Sequence, residues 1–260
     1  MQKKLLVIVC LLIVGVVGII YAKDFFFGTN DTKKTIEDLS FTQIEVDTTN
    51  ASIEIRPSKG PVATVEVSNH KKSKRKYTFN ADVKGDSLSV QFKEKSSGFI
   101  NFRSDPYKLV ISVPGKDYKI IQVKSDIGKI LVEDLKTDNL QLETDAGEIN
   151  VKDVDAVAVN VKTDVGKINL DHVKGKIEGT TDVGIISLVT NHLDCPIDLK
   201  TEVGKIMIQT EKEPTNATIE VKTSISSIDI FGANNKKTVF GKGENLIRLQ
   251  TEFGKIVVTN

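Results

Sequence analysis

The sequence contains few of the residues that build disulfide frameworks or aromatic sugar-binding platforms. Its 260 residues include two cysteines, Cys10 and Cys195, and no tryptophan. Cys10 lies in an apolar N-terminal run and Cys195 in a connector, so the chain has no disulfide framework. No tyrosine follows Tyr118, and the aromatic residues beyond it are Phe231, Phe240 and Phe253. The C-terminal half therefore offers few platforms for a sugar chain.

The sequence also has few histidines and a net charge close to zero. The three histidines, His70, His172 and His192, have no cysteine or serine motif beside them, and we interpret them as solvated loop residues. Of 36 basic residues, 34 follow Ala22, together with all 35 acidic residues, which gives this part a formal charge of −1. We expect no nucleic-acid partner, no cofactor and no nucleophilic catalysis.

One long uncharged run is present near the N-terminus. Leu5 to Ala22 follows Lys3 and Lys4 and, as a helix, would span about 27 Å, close to the roughly 30 Å of a bilayer core. Lysines before the run favour a cytoplasmic N-terminus and export of the remainder. We predict a single-pass transmembrane signal anchor at 1–22, a tether at 23–40 and an extracytoplasmic C-terminal domain. A cleaved signal peptide and a lipoprotein are the alternatives.

A ten-residue phrase recurs seven times. The copies are VKSDIGKILV (123–132), LETDAGEINV (142–151), VKTDVGKINL (161–170), GTTDVGIISL (179–188), LKTEVGKIMI (199–208), VKTSISSIDI (221–230) and LQTEFGKIVV (249–258). Their fourth position, here called the acidic slot, recurs at spacings of 19, 19, 18, 20, 22 and 28 residues. Such periodic self-similarity is typical of solenoids and related repeat folds.

Aliphatic residues occupy constant offsets within each copy. They stand five and three residues before the acidic slot and four and six residues after it, and of these 28 positions only Gly179 lacks an aliphatic side chain. Because side chains alternate faces along a strand, this predicts two strands per repeat, each with one buried face. A slip of one residue would turn every aliphatic side chain outward.

Stacked coils explain this regularity better than a meander of antiparallel hairpins does, although the strands of hairpins would also alternate aliphatic and polar side chains. The residue before the acidic slot is always Ser or Thr, and such hydroxyls could hydrogen-bond along a column of in-register parallel strands. We predict an all-β fold: a β-solenoid of about 19-residue coils at 119–260, after a β-rich part at 41–118. That part contains a degenerate repeat at Ile44–Ile55, and its other strands are either diverged coils or an inserted meander.

The N-terminal apolar segment, the strand ending in ISVP and the tandem Asp-x-Gly-x-Ile phrases together resemble the putative-adhesin family of bacterial envelope proteins. This resemblance covers roughly residues 40–260. It implies an extracytoplasmic module of β-strand repeats, and the anchored members include the LiaG-like proteins of Gram-positive envelope-stress operons. The family supplies no catalytic residues.

The repeated corners form a turn ladder, which is a candidate metal site. Its members are Asp126, Gly128, Asp145, Gly147, Asp164, Gly166, Asp182, Gly184, Glu202, Gly204, Glu252 and Gly254. Stacking would place like charges about 5 Å apart, and a divalent cation could relieve this repulsion. The structural interpretation, which we favour, is that each acid caps its turn through a backbone N–H while Lys124, Lys162 and Lys200 neutralise the column. We therefore expect no metal site.

A basic cluster is a candidate patch for an anionic partner. It comprises Lys71, Lys72, Lys74, Arg75 and Lys76. Wall polymers rich in phosphate and lipid headgroups are its natural targets outside a Gram-positive cell. The alternative is a solvated loop before a strand that begins at Tyr77.

Two functions follow from these observations. The preferred one is a non-enzymatic, membrane-tethered interaction module that presents its solenoid to an envelope protein or an anionic wall polymer. The alternative is a surface polysaccharide lyase, which would need acidic calcium ligands and a base. We also expect the long connector from Phe231 to Leu246 to fold over the end of the solenoid as an internal cap, because bare strand edges invite pairing with other chains; partner binding or self-association at this end is the alternative.

Overall fold

The computed structural model describes residues 32–69, 76–94 and 107–260, and all regular elements in these residues are β-strands. The strands are β1 (Thr32–Ile36), β2 (Gln43–Pro57), β3 (Ala63–Ser68), β4 (Tyr77–Lys84), β5 (Ser87–Glu94), β6 (Tyr107–Val113), β7 (Asp117–Glu133), β8 (Lys136–Lys152), β9 (Asp155–Asp171), β10 (Lys174–Thr190), β11 (Ile197–Thr210), β12 (Ala217–Ile230), β13 (Lys237–Phe240) and β14 (Asn245–Thr259). In this described part, no helix is long and apolar enough to cross a membrane. The predicted anchor at Leu5 to Ala22 lies outside it.

Successive repeats stack as parallel strands in the predicted register. Val123 in β7 lies opposite Leu142 in β8, which lies opposite Val161 in β9. Like residues therefore form columns along the stack, and the aliphatic columns are buried. The expectation of stacked, in-register coils is confirmed, and the antiparallel meander is excluded for the regular repeats.

Each regular repeat forms one long strand, and the prediction of two strands per repeat is wrong. β7 runs through the Asp-x-Gly phrase without a break, because ladder pairing continues on both sides of the corner. Gly128 lies at φ 144°, a positive φ that glycine adopts readily and that bends the chain without ending the strand. The inward parity changes at this bend, so that Ser125 and Ile130 are both buried. Each coil thus has a first half and a second half that enclose the core.

A second corner closes each coil, and it carries a buried column that the aliphatic offsets did not include. Its members are Leu135, Val154, Val173 and Leu193. The residues before the first three are Asp134, Asp153 and His172, which adopt left-handed φ angles of 50–55°. Asp tolerates this conformation better than most residues do. The predicted loop residue His172 therefore helps to form the corner, with Nδ1 2.6 Å from the Asp171 carboxylate.

The spatial order of the coils departs from their order in the sequence. β14 lies between β11 and β12, so the last copy of the phrase is an internal coil and β12 is the end coil. β12 is also the copy with Ser-Ile-Ser-Ser in place of Asp-x-Gly-Lys. An end coil stacks on one side only. A corner whose sequence differs from the repeated phrase therefore disturbs one coil–coil interface there instead of two.

The long connector covers the end of the stack, but not over the strand that was expected. Its strand β13 pairs antiparallel with the start of β12, and Phe231 and Phe240 pack edge-to-face with ring centroids 5.7 Å apart. The expectation that the connector caps the end of the solenoid is therefore confirmed, but that end is not formed by the last coil of the sequence. The coil it covers is β12, because β14 inserts between β11 and β12.

The N-terminal part closes the other end of the stack. β2 is the degenerate repeat and pairs with β7 in the expected register, with Ile44 opposite Ile121. The first half of β2 pairs with β5, which pairs with β4. The second half of β2 pairs with β6, followed in the sheet by β3 and β1. The unassigned strands thus form a meander divided between the two halves. β1 corrects the predicted tether, because residues 32–36 pair with β3 and belong to the folded domain.

Candidate functional site

The first corner stacks the predicted turn ladder into a continuous column. Gly128, Gly147, Gly166 and Gly184 lie opposite one another in adjacent strands, and Gly204 and Gly254 continue the series. An ideal Cβ added to Gly166 would lie 1.8 Å from the carbonyl oxygen of Gly147, and the other corner glycines give distances of 1.7–2.1 Å. The glycines are therefore required because neighbouring backbones touch at this corner.

The acidic slots face solvent, and the described part of the chain shows no hydrogen bond from a corner backbone N–H to any of these carboxylates. The expectation that each acid caps its turn is therefore wrong. The buried hydroxyl before the slot closes the corner from inside instead. Ser125 Oγ donates to the carbonyl oxygen of Ile127 at 3.2 Å, and Thr163 Oγ1 donates to that of Val165 at 3.4 Å.

Within the described residues, hydroxyl-to-hydroxyl hydrogen bonding along the column occurs at one position, between Thr48 Oγ1 and Ser125 Oγ at 2.9 Å. Four hydroxyls of the column donate to the carbonyl oxygen two residues later in their own corner, those of Ser125, Thr144, Thr163 and Thr251. Thr181 Oγ1 donates instead to the carbonyl oxygen of Asp164 in the neighbouring coil at 3.5 Å. The Oγ1 atoms of Thr201 and Thr223 are buried and make no hydrogen bond within the described residues. The column therefore stabilises individual corners more than it links the coils.

Charge in the acidic column is partly compensated by lysine. Lys162 Nζ lies 3.5 Å from the Asp164 carboxylate and 3.7 Å from that of Glu143, and these two acids raise the pKa of the lysine. Partial burial, followed by the charges of Asp145 and Asp47, raises the pKa of Asp126. Among the described residues, no group of three or more His, Cys, Asp or Glu side chains is placed to hold a metal ion.

A shallow groove crosses the outer surface of the first halves. One section of about 280 Å³ is lined by the Gln122, Lys124, Gln141, Glu143, Asn160 and Lys162 side chains together with buried-column residues. An adjoining section of about 240 Å³ extends over β2 and β5 and shares Gln122 and Lys124. We call this surface, from Gln91 in β5 to Lys162 in β9, the polar face.

Hydrogen-bonding groups on the polar face remain available to a partner. Gln122 and Gln141 make no side-chain hydrogen bond within the described part of the chain. The opposite surface differs, because Asn169 Nδ2 donates to Asn150 Oδ1 and to Glu148 Oε1, each at 3.0 Å. On the polar face itself, Asn160 Nδ2 donates to Glu178 Oε2 at 3.4 Å, so the free amides among the first three copies are those of Gln122 and Gln141.

The residues of the polar face were not among the candidate site residues, although the sequence contains a pattern that identifies them. An amide residue stands four residues before the acidic slot in three successive copies, as Gln122, Gln141 and Asn160. Two residues later, the same copies carry Lys124, Glu143 and Lys162, which alternate in charge. Both offsets have outward parity, so the composition of this face can be derived from the repeat alignment.

The remaining candidates are the basic patch and Cys195. Of the basic patch, Lys76 is described and is exposed before Tyr77, whereas Lys71, Lys72, Lys74 and Arg75 lie outside the described residues, so that the patch stays a prediction. Cys195 is partly buried in its connector, and burial, followed by the charge of Asp194, raises the pKa of its thiol. A raised pKa leaves less of the reactive thiolate.

The chain belongs to the family described as Toastrack DUF4097, whose model matches residues 41–177 and, again, residues 128–259. The two overlapping matches reflect the internal repeat, and they confirm the family resemblance seen in the Asp-x-Gly-x-Ile phrases. No curated protein matches the sequence.

Solved structures of bacterial proteins resemble the chain over most of their length. A "putative adhesin" from Bacteroides fragilis is 13% identical with a TM-score of 0.45, and the match covers 89% of this chain and 98% of that one. A "putative cell adhesion protein" from Clostridium sporogenes is 12% identical with a TM-score of 0.41, covering 88% and 98%. A "putative lipid binding protein" from Parabacteroides distasonis is 15% identical with a TM-score of 0.37, covering 90% and 98%.

Proposed function

We propose that this protein is a non-enzymatic, extracytoplasmic β-repeat module that binds another component of the bacterial envelope through its polar face. The apolar run at Leu5 to Ala22 would tether it to the membrane as a single-pass anchor. In this role it is an adhesin-like protein or an interaction protein associated with cell-envelope stress. Family membership supports the repeat architecture, and the polar face supports the binding role.

The observation that carries the proposal is the set of free amides in an open groove. Gln122 and Gln141 each present two N–H donors and one carbonyl acceptor without an intramolecular partner. The groove crosses five strands, β5, β2, β7, β8 and β9, which at about 4.8 Å per strand corresponds to about 19 Å. An extended polar segment fits such a surface better than an enclosed small molecule does.

The charges on the polar face favour a partner that carries both donors and acceptors. Glu143 lies between Lys124 and Lys162, with N–O distances of 3.6 and 3.7 Å. These exposed pairs are weak, and a partner can replace them at little cost. An envelope protein segment or an anionic wall polymer with hydroxyl groups would meet these requirements. The predicted basic patch at residues 71–76 would add affinity for the polymer.

A pull-down of the intact protein from its own membrane tests the binding role. The test variant is the double replacement Gln122→Ala and Gln141→Ala, and the matched control is Gln209→Ala, which removes an exposed glutamine from the second half of β11. We expect an envelope component that co-purifies with the parent protein and the control and falls at least about fivefold with the double variant, as loss of several hydrogen bonds predicts. Equal recovery with all three proteins would contradict binding at this face.

The non-enzymatic part of the proposal has its own test. The purified protein is incubated with wall polysaccharides, with and without calcium, and released reducing or unsaturated ends are measured. We expect no turnover. Release of product that depends on the concentration of the protein would favour the polysaccharide lyase instead.

A further inference from the structure

An unpartnered apolar stripe runs along the first corner of the stack. It consists of the residues that directly follow the acidic slot, in spatial order Ile127, Ala146, Val165, Val183, Val203, Phe253 and Ile225. We call it the corner ridge. Its last five members are 47–70% exposed. Six intervals of about 4.8 Å give it a length of about 29 Å.

The fold does not require apolar residues on this ridge. The side chains point away from the core, which lies on the other side of the corner backbone, and the close approach of the coils depends on the neighbouring glycine. Seven apolar residues in seven consecutive coils are therefore a continuous surface feature. Contiguous exposed apolar surface is typical of contact sites, whereas single exposed residues are not.

Charged columns of opposite sign flank the ridge. The residue before it on the first half is acidic in six of seven coils: Asp126, Asp145, Asp164, Asp182, Glu202 and Glu252. The residue two positions after it, on the second half, is Lys129, Glu148, Lys167, Ile185, Lys205, Lys255 or Ser227. The second column therefore carries four lysines and one acid.

We propose that the ridge is the contact surface of a homodimer in which two solenoids lie side by side with their axes parallel. A twofold axis along the stack brings ridge against ridge and places the acidic column of each copy against the lysine column of the other. An antiparallel dimer would instead oppose acid to acid and lysine to lysine. Charge complementarity thus selects both the occupant, a second copy, and its direction.

The parallel arrangement places residues of the same coil together. Glu202 of one copy meets Lys205 of the other, and neither residue has an ion pair within the described part of its own chain. The two N-termini lie at the same end of the dimer, which agrees with anchoring in one membrane if the proposed anchor is correct. The contact strip, about 29 Å by about 15 Å, is on the order of 450 Å² per copy, below the roughly 800 Å² of a standard interface. We therefore expect a weak dimer that forms at the density of a membrane surface.

Cysteine cross-linking of the full-length protein in membranes tests both contact and direction. Cys10 and Cys195 are first replaced by serine, and single cysteines are then introduced as Ala146→Cys, Val183→Cys or Val203→Cys. The matched control is Val157→Cys, at a valine that is 68% exposed but lies off the ridge. We expect disulfide-linked dimers from all three ridge positions and at least about tenfold less from the control.

The outcomes separate the possible arrangements. Cross-linking at Val183→Cys without the other two positions would indicate an antiparallel contact and would overturn the proposed direction. Equal cross-linking at Val157→Cys, or none at any ridge position, would overturn the interface itself. Thermal unfolding of each variant verifies that these surface replacements leave the fold intact.

Charge exchange provides a second readout that folding alone does not affect. In the Val183→Cys background, Lys205→Glu should reduce cross-linking about tenfold, because the two symmetric contacts change from attraction to repulsion. Adding Glu202→Lys restores opposite charges across the dimer and should restore cross-linking. Failure of the double exchange to recover the lost yield would contradict the parallel pairing. The result does not depend on the polar face, so the proposed function is tested separately.

Discussion

Replacing Gly166 by alanine tests the physical basis of the repeated corner. The new Cβ would lie 1.8 Å from the carbonyl oxygen of Gly147, and a contact under 3.0 Å forces a shift. Two backbones would therefore have to separate by at least about 1.2 Å. We expect loss of about two inter-coil hydrogen bonds, at about 1 kcal/mol each. Holding alanine at φ 154° adds about 1–2 kcal/mol. The free energy of unfolding should fall by about 3–4 kcal/mol.

Alanine replacements at three other glycines separate the two contributions to this loss, the contact of the new Cβ with the neighbouring backbone and the strain of a positive φ. Gly184 would bring its Cβ to 1.9 Å from the Gly166 carbonyl oxygen without a φ angle in the region that favours glycine, so Gly184→Ala should cost about 2 kcal/mol. Gly85 has φ 62° with no atom within 4 Å of the added Cβ, so Gly85→Ala should cost about 1 kcal/mol. Gly60 has neither feature, and its alanine variant should unfold like the parent.

Urea unfolding of the purified protein, followed by circular dichroism at several wavelengths, provides the four values. The order of loss should be Gly166→Ala, then Gly184→Ala, then Gly85→Ala, then Gly60→Ala. A midpoint for Gly166→Ala that equals that of Gly60→Ala would refute the claim that neighbouring coils touch at the corner. Unequal m-values among the variants would show either a change in the compactness of the denatured or native state or a transition that is not two-state, and native-state hydrogen exchange would then replace the comparison.

Three further predictions concern the hydroxyl column, the acidic column and the N-terminus. Thr163→Val should lower the free energy of unfolding by about 1 kcal/mol because its hydroxyl is hydrogen-bonded, whereas Thr201→Val should be neutral or stabilising because its buried hydroxyl is unpaired; equal losses in urea melts would contradict this. Asp126→Asn should raise the thermal midpoint at neutral pH. The raised pKa of Asp126 makes its ionisation destabilising as pH rises above about 3.8, so the advantage should shrink as pH falls toward that value. If Leu5 to Ala22 is an uncleaved anchor, the mature protein begins at Met1 and stays with membranes in high salt; an N-terminus at Lys23 would exclude it.

The register of the coils could be predicted because it depends on local sequence. Each copy carries aliphatic residues at the same offsets, so Ile130 and Ile149 had to fall in one buried column. The continuity of each strand could not be predicted, since a glycine at an Asp-x-Gly corner is compatible with a turn or a bend. The ladder pairing of β7 with β8 on both sides of the corner, together with the φ of 144° at Gly128, distinguishes them.

The order of the last coils could not be derived from the offsets. Copies at 221–230 and 249–258 match the same aliphatic pattern, and their positions depend on how the connector from Phe231 crosses the end of the stack. The column that includes Leu135 was missed for a related reason: it belongs to the variable connectors. The polar face was accessible from the sequence, because Gln122 and Gln141 share one outward offset.

Photo-cross-linking in living cells tests the central claim that the polar face binds an envelope component. A photoreactive amino acid replaces Gln141 on the polar face or, as the control, Gln209 on the second halves, and both positions are exposed. We predict a discrete adduct with one envelope component from position 141, lost when Gln122→Ala is added, and no such adduct from position 209. The same adducts from both positions, or none from position 141 while position 209 reacts, would contradict the account.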